Sequence, residues 1–184
     1  MTAVDLSSFA GLTAMVLLTV NLLLGLLVST NYNPVLRWPH RKIPIFDIHN
    51  WTAYVALALV CLHPILLLCS STAGFRIGDV LWPANSPGQR LYNTLGAITF
   101  YSVTFVVVTS YFRAQIGSRI WKKLHYVAYG AAAVLFVHAL LIDPNQKKAP
   151  PDLLDGEKVL VEGCFVAVAA GSIWRLRFAL RKAR

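Results

Sequence analysis

Charged residues are scarce in this sequence of 184 residues, since only 14% are Asp, Glu, Lys or Arg, whereas 57% are hydrophobic. A soluble domain carries about 25% charged residues and needs them to stay in solution. The scarcity of charge excludes a soluble domain, a disordered chain and a coiled coil. The chain is therefore predicted to be an integral membrane protein that contacts lipid over much of its surface.

Cysteine is rare as well. Cys61, Cys69 and Cys164 all lie in apolar stretches, and none belongs to a CxxC or CxxCH pattern. The pattern gives no support to a zinc ribbon or to covalently attached c-type haem, and buried, inert thiols are expected. The sequence contains no GxGxxG, no P-loop and no catalytic-triad signature either, so no soluble domain of those kinds is predicted.

Long apolar runs, by contrast, are plentiful, and a membrane-spanning helix needs about 20 largely apolar residues. The stretches that meet this requirement are 9–28, 51–69, 91–112, 124–142 and 159–174. No Lys or Arg precedes the first stretch and no small-residue cleavage site follows it, so we expect a retained membrane helix and not a signal peptide. The predicted fold is all-α: a bundle of five transmembrane helices that forms a single domain over residues 1–184.

The basic residues predict how this bundle is oriented. The net charge of +9 could indicate nucleic-acid binding. However, the cations cluster between the apolar stretches, which favours a topology signal, and no nucleic-acid partner is expected. The three segments on one side of the predicted membrane hold three, four and five of the 17 cations, whereas most of the acids lie on the other side. By the positive-inside rule, we expect the N-terminus outside and the C-terminus in the cytoplasm.

Four of the five histidines belong to two of the predicted helices. His63 follows His49 by fourteen positions, and His138 follows His125 by thirteen. Ionisable side chains inside a membrane are costly and usually mark a functional site. The two helices run in the same direction, and these spacings cover about 21 Å and about 20 Å. We therefore expect His49 level with His125 on the cytoplasmic side, and His63 level with His138 on the outer side.

Two histidines that face each other across a bundle can supply both axial ligands of a haem iron, so two levels predict two stacked haems. A small metal ion is a poorer match, because its ligands must lie within a few ångströms of one another, as in HExxH. The helical period raises one difficulty. His63 lies within about 40° of the His49 face, but His138 lies about 140° from that of His125. A helix tilt, a local distortion or an offset between the two haems must absorb this difference, or only one haem is bound.

The histidine pairs, together with the stretch 121–129 (WKKLHYVAY), resemble the ferric-reductase-type transmembrane domain. NADPH oxidases, ferric reductases and the haem-binding membrane subunit of the bacterial periplasmic methionine sulfoxide reductase share this domain. The resemblance covers about Asn31 to Leu141. It implies b-type haem, with His49 and His125 as ligands of the inner iron and His63 and His138 as ligands of the outer iron. It also implies electron transfer across a membrane, here expected to be the bacterial inner membrane.

The chain departs from this family in two respects, because it is predicted to lack the usual first helix of six and has no flavin or nicotinamide domain. The electron donor is therefore expected to be separate: a flavoprotein, a reductase or a quinone, with an acceptor or partner protein outside. A basic segment with His40 is predicted to meet solvent or lipid headgroups. Alternatively, Arg41, Arg119 and Lys122 hold the inner haem propionates or dock an acidic donor through charge-assisted hydrogen bonds.

The leading hypothesis is a b-type haem protein that carries electrons across the membrane as an oxidoreductase component. The alternative is a non-enzymatic membrane anchor or assembly subunit of a larger complex, in which the histidines are polar contacts between helices. A third hypothesis, a histidine proton relay in a transporter, lacks the acidic residues that such relays use, since only Glu162 is a candidate.

Overall fold

The computed structural model describes residues 1–30, 44–143, 152 and 154–182. The helices in this part of the chain are α1 (Ala3–Thr30), α2 (Ile45–Leu68), α3 (Ile77–Leu81), α4 (Arg90–Tyr111), α5 (Arg113–Ile116), α6 (Ser118–His125), α7 (Val127–Leu141) and α8 (Gly156–Lys182). A short 3₁₀ helix, Pro83–Asn85, joins α3 to α4. Within these ranges the structure contains no strand.

Five helical segments of the described chain are long and apolar enough to span a membrane, which confirms the predicted all-α bundle. Four of them are the single helices α1, α2, α4 and α8, and the remaining one is Ser118–Leu141, which comprises α6 and α7. The observed helices begin before the predicted stretches. The largest extension is at the other end of α8, which continues to Lys182 through a basic, still helical segment.

The bundle consists of two antiparallel helical hairpins with α8 packed beside them. In the first hairpin α1 packs on α2, and in the second α4 packs on α6 and α7. Buried residues from both hairpins meet in one core cluster, formed by Leu18, Ala56, Val103, Val107 and Ala131. These side chains are mostly short, so the helix backbones approach closely, as is usual for helices packed within a membrane.

The outer faces of the helices expose large apolar side chains. Examples from three helices are Val55, Ile65, Val108 and Val166, which are all at least 45% exposed. A monomeric soluble protein rarely shows so much apolar surface, whereas lipid covers it at no cost. These faces therefore contact the hydrocarbon of the membrane.

The helix that carries His125 is interrupted directly after this residue. Between α6 and α7, Tyr126 is a turn residue with helical backbone angles (φ −63°, ψ −17°), and the N–H of Tyr129 donates to the Tyr126 carbonyl at 3.1 Å. This i to i+3 bond belongs to a 3₁₀ turn, which rotates the chain by more per residue than an α-helix does. Such a turn is a local distortion within the stretch that separates His125 from His138.

The two ends of the bundle differ in charge. Exposed cations gather where α4 ends and α6 begins, at Arg119, Lys122 and Lys123, and Arg175 of α8 donates to the hydroxyl of Ser29 nearby. We call this the basic end and the other the opposite end. The positive-inside rule predicts that the basic end faces the cytoplasm. The predicted residues His40 and Arg41 lie outside the described residues.

The segment between α2 and α4 folds over the opposite end. The hydroxyl of Tyr101 donates to the carbonyl of Leu81 at 2.7 Å, which holds α3 against α4. The side-chain amide of Gln89 donates to the carbonyl of Asp143 at 2.6 Å and accepts from its N–H at 2.9 Å. These contacts attach the segment to α4 and to the end of α7.

Candidate functional site

Two histidines from different hairpins face each other near the basic end. The ring centres of His49, in α2, and His125, at the end of α6, lie 6.3 Å apart, and the ring planes make an angle of 72°. Both side chains are partly buried. The structure therefore brings together the two residues that the sequence places at the same level, and we call them the basic-end pair.

The other two histidines lie at the opposite end and form the opposite-end pair. His63 contacts Ser7 near the start of α1, and His138 contacts Tyr92 near the start of α4. The two rings are close enough to interact electrostatically. Directly after His63, Pro64 removes one backbone donor from α2. The hydroxyl of Ser7 donates to the carbonyl of His63 at 2.8 Å, which fastens this point of α2 to α1.

All four histidines use the same ring nitrogen to contact the neighbouring helix of their own hairpin. The Nδ1 contacts are His49 with the carbonyl of Asn21 (3.0 Å), His63 with that of Ser7 (2.8 Å), His138 with that of Tyr92 (2.7 Å) and His125 with the hydroxyl of Ser110 (3.1 Å). A carbonyl can only accept, so Nδ1 carries the proton in the first three. The Nε2 of these rings then has a free lone pair, which is the state in which a neutral imidazole binds a metal.

His125 differs from the other three because its partner is a hydroxyl. Ser110 also accepts a hydrogen bond from the indole N–H of Trp121 at 3.2 Å. The rings of Trp121 and His125 are 5.1 Å apart and tilted by 37°, so the indole covers one side of the imidazole. Trp121 and Ser110 together fix the position of the His125 ring.

Three glycines make room for three of these rings. A Cβ atom on Gly96 would lie 2.7 Å from Cε1 of His138, and one on Gly11 would lie 3.0 Å from Nδ1 of His63. A Cβ atom on Gly25 would lie 3.2 Å from Cε1 of His49. Real Cβ atoms do not approach other atoms as closely as at Gly96, so no side chain fits there unless His138 moves. Each ring thus lies directly against the backbone of its partner helix.

The sequence contains a signal for these partners that the analysis of the histidines alone misses. Gly11 and Gly25 are fourteen positions apart, and so are Gly96 and Ser110. This is the separation of His49 and His63. A repeat of the same spacing on the antiparallel partner helix indicates that small residues are needed at the two levels of the histidines.

A cleft opens beside the basic-end pair. The empty space within it, counted together with the part open to the surroundings, is about 660 Å³. Its walls are mainly apolar and come from both hairpins; they include Leu18, Ala53, Val107, Ala131 and Leu135, with Asn21, His49, Ser110 and His125 among the polar residues.

The predicted propionate ligands on α6 lie beyond the basic-end pair. The side chains of Arg119 and Lys122 are exposed and precede His125 by six and three positions. They lie within two turns of its level, at the surface of the basic end. Their role in holding propionates or docking a donor stays a prediction, as does that of Arg41, which lies outside the described residues.

Cysteines and small-metal clusters add little to the site. Among the described residues, no three His, Cys, Asp or Glu side chains come together as a small metal ion would require. Cys61 and Cys164 are partly buried, but Cys69 is exposed. The expectation that all three thiols are buried is therefore wrong for Cys69, because α2 ends at Leu68 and leaves the next residue at the surface of the opposite end.

Comparison with known proteins identifies one family. The family model described as the ferric reductase like transmembrane component matches residues 10–136, from α1 almost to the end of α7. This segment covers more than half of the chain and contains His49, His63 and His125, and it ends two residues before His138. Searches of curated proteins and of solved structures gave no match.

Proposed function

Because the chain belongs to the family of ferric reductase-like transmembrane components, we propose that it binds b-type haem and carries electrons across the membrane. The proposed ligands are His49 with His125 at the basic end and His63 with His138 at the opposite end. Two pairs correspond to two haems per chain, or to one if only one pair is used. When bound, haem supplies a carrier of single electrons.

The observation that carries this proposal is the common hydrogen bonding of the four histidines. Metal-ligating histidines usually donate their second ring N–H to a carbonyl or another acceptor, which fixes the ring and its protonation. Here Nδ1 of each ring contacts an acceptor on the partner helix. Within the described residues, no hydrogen bond engages any of the four Nε2 atoms, which leaves them available to a ligand.

The separation within the basic-end pair also suits an iron with two axial histidines. With about 2.0 Å from metal to each nitrogen and about 1.1 Å from nitrogen to ring centre, the ring centres would be about 6 Å apart. The observed separation is 6.3 Å. Two histidines without a third protein ligand suffice only if the cofactor provides the other donor atoms, as a porphyrin does.

The rest of the chain would isolate and orient the cofactors. Apolar walls beside the basic-end pair exclude water, and the close fit of the opposite-end pair against α1 and α4 restricts the rings to one orientation. We propose that the basic end faces the cytoplasm in a bacterial inner membrane. Its cations would attract an acidic flavoprotein or reductase, while a quinone could donate from the lipid; an acceptor or partner protein would meet the opposite end.

The test is a haem assay on purified protein. We expect a reducible b-type spectrum and two haems per chain in a pyridine haemochrome assay calibrated by amino-acid analysis. In redox titrations, His49→Ala and His125→Ala should remove one spectral component, and His63→Ala and His138→Ala the other. A colourless, folded wild-type protein contradicts the proposal. Loss of the same component in His49→Ala and His63→Ala, with retention in His125→Ala, contradicts the pairing.

The second candidate is a membrane anchor in which the histidines only join helices. It is favoured by the same Nδ1 contacts, since each one links two helices of a hairpin. Substitution by Asn separates the two functions, because the Asn amide reaches the position of Nδ1 but provides no equivalent of Nε2. An anchor should tolerate His63→Asn with unchanged thermal stability and partner binding, whereas a haem protein should lose the opposite-end haem.

A further inference from the structure

One positive charge is buried beside the opposite-end pair. Among the described residues, Lys158 is the charged side chain that the bundle encloses, with 7% of its surface exposed. It belongs to the first turn of α8, outside the segment that matches the family. Burying a cation is costly unless neighbouring groups compensate it. Its surroundings therefore indicate what the charge does.

The ammonium group of Lys158 binds the end of the helix that carries His138. Its Nζ donates to the carbonyl of Ala139 at 2.9 Å and to that of Ile142 at 2.6 Å. The N–H of Ile142 in turn donates to the carbonyl of His138 at 2.9 Å. Lys158 is thus within one helical turn of a proposed haem ligand and interacts electrostatically with it.

This position suits α7 and not α8. A cation in the first turn of a helix faces the positive end of the helix dipole, so Lys158 is unfavourable for α8 itself. At the C-terminal end of α7 it meets the negative end of another dipole and two carbonyls that need donors. We therefore attribute the buried position of Lys158 to its contacts with the C-terminal end of α7, which is close to His138.

Nearby acids cancel only part of this charge as seen from inside the bundle. Asp143, Asp155 and Glu157 interact electrostatically with Lys158, and of these Asp143 is half-buried, whereas Asp155 and Glu157 are exposed. Solvent and salt screen exposed charges strongly, whereas a buried charge acts through a medium of low dielectric constant. At the opposite-end pair, the electric field of Lys158 is therefore screened less than the fields of the exposed acids Asp155 and Glu157.

We propose that Lys158 raises the redox potential at the opposite-end pair, an inference that rests on the proposed function. A reduced haem carries one positive charge fewer than an oxidised one, so a nearby cation favours reduction. His63 and His138 each donate a hydrogen bond from Nδ1 to a carbonyl, which makes these ligands more basic. More basic ligands lower the redox potential, so this effect opposes that of Lys158. Lys158 offsets their effect. The opposite-end level would then accept an electron more readily than it would without Lys158.

The test compares redox titrations of the full-length, haem-loaded protein with Lys158 changed to Gln, Met or Arg. We expect Lys158→Gln and Lys158→Met to shift the opposite-end component to lower potential and the basic-end component much less. Lys158→Arg keeps the charge and should stay near the wild-type value. Glu157→Gln is the matched control, because it changes an exposed charge at the adjacent position and should cause only a small shift.

Three results would overturn the inference. One is a Lys158→Gln protein that holds both haems at wild-type potentials, and another is an equal shift of both components. The third is loss of the opposite-end haem in both Lys158→Gln and Lys158→Arg, which would make Lys158 a packing requirement. A colourless wild-type protein contradicts the proposed function instead, whereas a wild-type protein whose only haem is the basic-end one overturns this inference. Both are recognised before any variant is compared.

Discussion

Replacing Gly96 by Ala tests whether the contact between α4 and the His138 ring is needed for the opposite-end site. The added Cβ would lie 2.7 Å from Cε1 of His138 and 3.1 Å from both ring nitrogens. Carbon atoms in good contact are about 3.5–4.0 Å apart, so the ring would have to move by about 1 Å. The hydrogen bond from its Nδ1 to the carbonyl of Tyr92, at 2.7 Å, opposes this movement.

The expected cost follows from two opposing effects. Overpacking a close contact costs about 1–3 kcal/mol, whereas Ala in place of Gly inside a helix stabilises by about 0.5–1 kcal/mol. The net result is a destabilisation of about 0–2.5 kcal/mol, estimated from these two ranges. The displaced ring should also lose its alignment with His63, so the opposite-end haem should be depleted and the basic-end haem retained.

The assay measures haem content and thermal unfolding of the detergent-solubilised protein. Gly130→Ala is the matched control, because a Cβ at Gly130, in α7, meets nothing within 4 Å. The control should keep both haems and unfold at the wild-type temperature or above it. If Gly96→Ala also keeps full haem content and wild-type stability, the close contact at His138 is not a constraint, and the argument from the glycines fails.

Two further predictions concern the basic end and the orientation. Ser110→Ala removes the hydroxyl that contacts His125 and Trp121, so it should deplete the basic-end haem or shift its potential, as seen in a redox titration. Thr109→Ala removes a hydroxyl that bonds within α4 and should leave both components unchanged; equal effects of the two variants would refute the role of Ser110. With Cys61 and Cys164 replaced by Ala, a membrane-impermeant maleimide should label the exposed Cys69 on intact cells, and labelling only after permeabilisation would reverse the proposed orientation.

The helices and the levels of the histidines could be predicted from the sequence because both depend on local properties. Apolar runs set the spans, and the rise per residue sets the heights of His49 and His63. The acceptors on Asn21, Ser7 and Tyr92 could not be predicted, since every residue has a carbonyl and only the register between helices selects one.

The interruption at Tyr126 was predicted only as an unspecified distortion, because the sequence there contains neither proline nor glycine to mark it. Lys158 is similar, since its sequence neighbours Glu157 and Val159 give no hint that its ammonium group reaches the end of another helix. That residues 1–184 form a single haem-binding domain stays a prediction, because the family match ends at residue 136, before α8.

The division into two hairpins has a consequence for how the protein is made. Each hairpin carries one histidine of each pair, so on the proposed ligation neither hairpin can complete a haem site alone. If the hairpins insert into the membrane separately, each proposed haem would cross-link them at one depth. A ligand that binds only the assembled state stabilises that state more as the ligand's concentration rises above its Kd. Cells short of haem should therefore accumulate a loosely joined form that membrane proteases remove, so the amount of this protein would follow the haem supply without any change in transcription.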